Sequence, residues 1–213
     1  MVVSRQGGAP PDPRANQRER TRSAILEATR RLLSAGKVPA VAEAAEEARV
    51  SRATAYRYFP SQGALVQEAA KDVLVPGWEW EELLAGDGDL GGRVERVAAT
   101  VFTLVRENEA LLRGALLLSL QQWARVQAGE ELGEQPIERG GRLEGIQAAL
   151  EPFEGKLDPD ELRRLAVAIS IFLGIEAHVV MRDIWHLSDD EAEQVTRWVA
   201  RTLARAATSQ ELA

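Results

Sequence analysis

Residues 41–65 read VAEAAEEARVSRATAYRYFPSQGAL. Val41, Ala44, Ala45 and Ala48 recur on one side at helical spacing, which predicts a short helix over Val41–Ala48. Arg49–Val50–Ser51 makes a tight turn. Ser51 is a favoured N-cap type for a second short helix, Arg52–Phe59, which Pro60 ends because proline cannot continue it. Two short helices across a three-residue turn are a helix-turn-helix, whose second helix is slim enough to enter a DNA major groove. At 100° per residue, Arg52, Ala53 and Tyr56 fall on its projecting face. Thr54, Arg57 and Tyr58 flank them, while Ala55 and Phe59 turn inward. The Arg52 fork suits guanine, a contact worth about 1–3 kcal/mol of discrimination. Phe59 suits a small core, but two tyrosines with Arg57 between them exceed what burial alone requires.

Working outward, residues 1–15 carry three prolines and two adjacent glycines and read as a flexible arm. From Asn16 a helical pattern begins, with Ile25, Ala28, Thr29, Leu32 and Leu33 in phase and Gly36 as a stop. A further helix is expected from Ser61 to about Val75. Residues 16–75 thus form a DNA-binding unit, and the stretch Pro76–Gly92, with five glycines, marks the boundary to a second unit at 76–213. There, Val94, Val97, Ala98, Val101, Phe102 and Val105 predict an amphipathic helix. Leu111–Gln127 predicts another, and a weaker one lies near Pro136–Glu151, interrupted by Gly140–Gly141. Asp158–Pro159–Asp160–Glu161 opens a long helix expected to reach Trp185, and Ser188–Asp189–Asp190–Glu191 opens a last one to about Ala207. No strand pattern appears. The expected fold is all-α: an N-terminal three-helix helix-turn-helix domain followed by a C-terminal helical ligand-binding and dimerisation bundle.

Composition narrows the function classes. The chain has 213 residues, 45% hydrophobic and 28% charged, which suits a packed soluble protein. It has no cysteine, which excludes disulfides, thiol nucleophiles and Cys-ligated metals. The longest apolar run, Leu165–Ile175, is far short of the roughly 20 residues that span a bilayer. With no apolar signal segment near its start, the chain reads as cytoplasmic. The net charge of −7 divides unevenly. Residues 1–75 hold twelve Lys/Arg against eight Asp/Glu, and residues 76–213 hold fourteen against twenty-five. A basic front on an acidic body either places one end against polyanions or is a chance clustering of charges on solvated faces.

The segment Arg20–Leu65 resembles the DNA-binding domain of the TetR family of transcriptional regulators. Ile25, Leu26, Ala28, Leu32, Leu33, Gly36, Val41, Ala45 and Ala48 carry the likeness, followed by VSRATAYRYFPSQGAL with Thr54, Tyr56, Tyr58 and Phe59 as its most diagnostic core. The ending Gly174–Ala207, with Glu176, Arg182–Asp183, Leu187 and Arg197–Trp198, resembles actinobacterial members more loosely. The resemblance implies a homodimer on double-stranded DNA, an unidentified small-molecule effector and no cofactor. It implies Arg52, Ala53 and Tyr56 as base readers, with Ser51, Thr54, Arg57 and Tyr58 as phosphate or positioning contacts. It also implies that the last two helices pair with a partner's. The sequence departs from the pattern at Ala40, usually a capping Thr, at Ala44 and Ala55, usually larger, and at Arg49, usually glycine. Gln62 stands where a phosphate-binding Lys is frequent. Arg49 and the Arg14, Arg18, Arg20, Arg22 run are candidates to restore phosphate contacts, each steepening salt dependence by about 0.9 in log–log slope.

In the second unit, Phe102, Trp123, Ile146, Glu176 and His178 are candidate ligand-pocket residues, though core packing accounts for the apolar ones equally well. At 100° per residue Glu176 joins Leu162, Leu165, Ile169, Leu173 and Val180 on an apolar face, with Asp183 two turns further along; its carboxylate either pairs with an arginine such as Arg197, tilts to solvent, or is a polar anchor in a ligand cavity. Val195, Trp198, Val199, Thr202 and Leu203 stripe the last helix and are candidate dimer-interface residues. Trp78 and Trp80 form either a flap or a loop anchor. His178 and His186 lack the spacing and carboxylate partners of a metal site, and no nucleophile triad or glycine-rich phosphate loop suggests an enzyme. A second reading remains open: a helical dimer that binds small molecules or proteins and has lost DNA binding.

Overall fold

The computed structural model describes residues 13–74, 80–86, 88–133 and 141–208. Most of the expected N-terminal arm, Trp78, and the start of the helix expected at Pro136 lie outside the described residues. Among those described, the elements are helices and no strand is present. No single helix is long and apolar enough to cross a membrane.

The front unit comprises α1 (Pro13–Ser34), α2 (Val41–Glu47), α3 (Arg52–Tyr58) and α4 (Gln62–Leu74). Ile25, Leu26, Ala28, Thr29 and Leu33 are the buried stripe of α1. That helix stops where expected. Gly36 takes φ +77°, and the Lys37 amide reaches back to the Leu32 carbonyl at 3.0 Å, closing a Schellman turn that satisfies an orphan carbonyl. Ala40 has no side-chain oxygen to cap α2, and Glu43 fills half of that role, its Oε2 accepting from the Ala40 amide at 2.7 Å.

Behind it come α5 (Trp80–Leu83), α6 (Leu90–Glu107), α7 (Glu109–Gln127) and α8 (Arg142–Leu150), the last followed by a 3-10 turn at Glu151–Phe153. Then α9 (Pro159–Phe172), α10 (Ile175–Val179), a π turn (Val180–Ile184) and α11 (Asp189–Thr208) complete the bundle. The six residues that predicted α6 are all buried, and all but Phe102 belong to the core shared with α8, α9 and α11. Both capping signals hold. Asp158 accepts from the Asp160 and Glu161 amides, and Ser188 and Glu191 cap each other reciprocally at 3.3 and 2.8 Å. Arg93 on α6 closes the end of α8, donating to the carbonyls of Ala148 and Ala149, and to Leu84 beyond α5.

Two expectations need correction. The long helix expected to reach Trp185 is broken: Leu173 is extended and Gly174 takes φ +112° before α10 restarts. An isolated glycine in an apolar helical pattern is tolerated, so the pattern alone runs straight through it. Here a Cβ at Gly174 would stand 2.7 Å from Arg142 Nη1 and 3.0 Å from Glu176 Oε2, and the chain folds around that approach. The break resets the helical phase, so Glu176 does not continue the Leu162–Ile169 face. Second, the glycine-rich boundary contains a helix. Trp80 on α5 packs against Gly145 of α8, where a Cβ would lie 2.8 Å from the indole, so Trp80 anchors the segment.

The two units share a strut. Leu111, Ala115 and Leu118 of α7 complete the front core with Ile25, Phe59 and Leu65, while Leu112 belongs to the core of the bundle. One helix, α7, therefore packs into both cores.

Candidate nucleic-acid interface

The turn before α3 sets the helix's exit direction. Arg49 takes φ +56°, its amide donates to Glu46 O, and the Val50 amide reaches Ala45 O at 2.9 Å. This is the same Schellman geometry as at Gly36, with a side-chain-bearing residue in the left-handed position that glycine favours. Ser51 then caps α3, accepting from the Thr54 amide at 3.1 Å and bonding the Thr54 hydroxyl at 2.8 Å.

Burial sorts the faces of α3 as the spacing predicts. Ala55 and Phe59 are buried in the front core. Ser51, Arg52, Ala53 and Arg57 are exposed, Thr54 and Tyr58 are half-buried, and Tyr56 is 48% exposed. Arg57 lies 5.6 Å from the Tyr58 ring centroid, and Tyr58 leans on Phe59 with ring centroids 6.4 Å apart. Tyr58 is thus a bracket: one side supports Arg57, the other joins the core. The small Ala44 and Ala55 are fully buried, so α2 and α3 close on one another without the larger side chains usual there.

Two arginine and amide candidates do other work. Arg22 pairs with Glu68 on α4, fastening α1 to α4, while Arg18 and Arg20 remain exposed on α1. Gln62 donates from Nε2 to the carbonyls of Val38 and Pro39, both at 3.2 Å, so its amide holds the α1–α2 loop. A lysine there would reach outward; this glutamine is used inside the domain.

Among the ligand candidates, Phe102 and His178 come together, with ring centroids 5.9 Å apart at the α9–α10 break. Ile146 is buried in the bundle core. Trp123 is 63% exposed on the far end of α7 and is not brought to that group. Glu176 pairs with Arg142 at 3.5 Å, not with Arg197, which is held by Glu193 and Glu95.

Sequence spacing overlooked a second polar cluster. Arg113 forks onto both oxygens of Asp183 at 2.7 Å and holds Glu109 through Nε at 2.7 Å. Glu109 Oε2 in turn stands 3.4 Å from His178 Nε2. Burial raises the Glu109 carboxyl, but the Arg113 hydrogen bond and the neighbouring His178 outweigh it and leave it below its ordinary value. The Arg113 hydrogen bond likewise lowers Asp183. The i, i+4 spacing of Glu109 and Arg113 was a visible signal; Asp183, seventy residues away, gave none.

On α11, Trp198 is 66% exposed, Val195 and Thr202 are exposed and Val199 is half-buried. Leu203 packs partly on the bundle core, whose α11 contribution is Ala200 and Ala204.

No curated protein matches the chain. Residues 25–69 match the family model described as "Bacterial regulatory proteins, tetR family". That interval contains the whole helix-turn-helix, from the α1 stripe through α3 and most of α4. Residues 25–69, ahead of a helical C-terminal region, are therefore similar to the N-terminal domain of the tetR family of bacterial regulatory proteins.

Proposed function

We propose that the chain is a cytoplasmic, ligand-responsive transcriptional repressor that binds a palindromic operator as a homodimer. The observation that carries this reading is α3: a capped helix whose inner face is locked by Ala55 and Phe59 while Arg52, Ala53, Tyr56 and Arg57 face solvent. In this reading Arg52, Ala53 and Tyr56 read base edges. Ser51, Thr54, Arg57 and Tyr58 hold the backbone, and Arg20 and Arg49 add phosphate contacts.

Dimerisation is supported by large apolar side chains exposed along the last helices: Ile171 on α9, Ile184 and Trp185 around the π turn, and Val195 and Trp198 on α11. Two copies joined there set two recognition helices about 34–36 Å apart, one turn of DNA. An effector that prefers a bundle with another spacing lowers operator affinity by its differential preference for the two states.

Fluorescence anisotropy with DNA from upstream of the chain's own gene tests the reading. The expected result is binding that weakens steeply with salt and is lost in Arg52→Ala. Binding absent at every salt concentration favours the rival, a helical dimer that has lost DNA recognition.

A further inference from the structure

His178 is 1% exposed, yet neither of its ring nitrogens has a hydrogen-bond partner, Nε2 standing 3.4 Å from Glu109 Oε2. A buried ring nitrogen in that state calls for a partner. The imidazole lines a small cavity that the α9–α10 break opens. Phe102, Val105, Leu173 and Met181 make its walls apolar, and half-exposed Phe172 forms its rim. Thr196 also lines it, but donates its hydroxyl proton to the Ala192 carbonyl at 2.8 Å. The space takes about one water-sized group, so a hydroxyl fits inside and anything larger stays at the rim.

The hydrogen-bond polarity of the cavity follows from its neighbours. The negative Glu109 carboxylate, 3.4 Å from Nε2, favours the ring proton on that nearer nitrogen by electrostatic attraction, which leaves Nδ1 with a lone pair. An incoming group must therefore donate. A carboxylate would meet that lone pair with no proton to share. An ammonium would bring an unpaired charge among apolar walls. A neutral hydroxyl fits both the size and the polarity.

We propose that the cavity at the α9–α10 break takes in the hydroxyl of a small apolar alcohol or phenol, with His178 Nδ1 as acceptor and the apolar body left at the rim against half-exposed Phe172. The proposal rests on the effector reading and deepens it. Glu109 and Arg113 meet His178 and Asp183 from α7, and the same helix supplies Leu111, Ala115 and Leu118 to the DNA-binding core. Occupation of Nδ1 is felt through Nε2 by Glu109, hence by the strut on which the front domain packs.

The test uses the intact protein with ¹⁵N-labelled histidine, whose only two imidazoles are His178 and His186. Phenol and toluene are titrated as probes of equal shape. Phenol is expected to move the His178 Nδ1 resonance, to leave His186 in place, and to bind roughly tenfold tighter than toluene, as one buried hydrogen bond allows. His178→Phe should erase that preference; if this variant does not fold, the wild-type comparison decides alone. Equal affinities, or an unmoved Nδ1 signal at saturating phenol, overturn the site. Phenol bound at Nδ1 with unchanged operator affinity upholds the site and overturns its effector role. DNA recognition itself is judged separately by the salt titration.

Discussion

Leu111 and Leu112 are neighbours on α7, yet Leu111 is buried in the core of the DNA-binding unit and Leu112 in the core of the bundle. Successive helical side chains diverge by about 100°, so one helix between two cores serves both. The helix that holds the His178 cluster at its start is therefore also part of the platform on which α1 and α4 pack.

Truncating these two residues should separate the cores. Leu111→Ala and Leu112→Ala are each expected to cost about 2–5 kcal/mol. Native-state hydrogen exchange should show Leu111→Ala loosening α1 and α4 first, and Leu112→Ala loosening α6 and α8. Identical exchange patterns would show that α7 does not divide its faces in this way.

Arg49 holds a left-handed conformation at φ +56°, which costs an ordinary side chain about 1–2 kcal/mol and glycine far less. Arg49→Gly should raise stability by about 1 kcal/mol in urea unfolding. If the guanidinium also neutralises a phosphate, the same variant lowers the log–log salt slope of DNA binding by about 0.9. A stability gain with an unchanged slope removes Arg49 from the interface.

Asp183 and Glu109 have folded-state pKa values lowered from ordinary, Asp183 chiefly by the Arg113 hydrogen bond and Glu109 by Arg113 and His178 against the opposing effect of burial. A lowered carboxylate stabilises the fold above its unfolded pKa and loses that contribution as pH falls through its folded pKa. Thermal melts should therefore show wild type more stable than Arg113→Gln at neutral pH, with the gap closing from about pH 5 downward. Parallel curves would mean that the cluster contributes nothing to stability.

Gly145 lies against Trp80 so closely that a Cβ would sit 2.8–3.0 Å from three ring atoms. Alanine gains about 1 kcal/mol in helix propensity over glycine, whereas overpacking against a rigid indole costs about 1–3 kcal/mol. Gly145→Ala should be net destabilising, and near-neutral or better in a Trp80→Leu background. Stabilisation in the wild-type background, read by urea unfolding, would overturn that packing.

Trp198→Glu places a charge on the exposed stripe of α11 without disturbing Ala200 or Ala204 beneath it. If the proposed homodimer forms through this stripe, sedimentation velocity should report a wild-type dimer and a Trp198→Glu monomer at the same concentration, with the helical circular dichroism retained. A persistent dimer would move the interface elsewhere.

Helix boundaries were legible wherever their signals are local. Ser51, Asp158 and Ser188 announce helix starts because capping acts within three residues, and Gly36 and Pro60 announce ends for the same reason. The two faces of α3 were legible because a single helical period sorts them. Tertiary structure decided what depends on distant partners. Gly174 breaks a helix that its own neighbours would continue, because Arg142 and Glu176 converge there. Gln62 turns inward to the carbonyls of Val38 and Pro39, and Arg22 to Glu68. Arg113 finds Asp183 across the bundle, and α7 enters two cores at once. Each of these is a contact between residues far apart in the chain, where neither spacing nor composition says which surfaces meet.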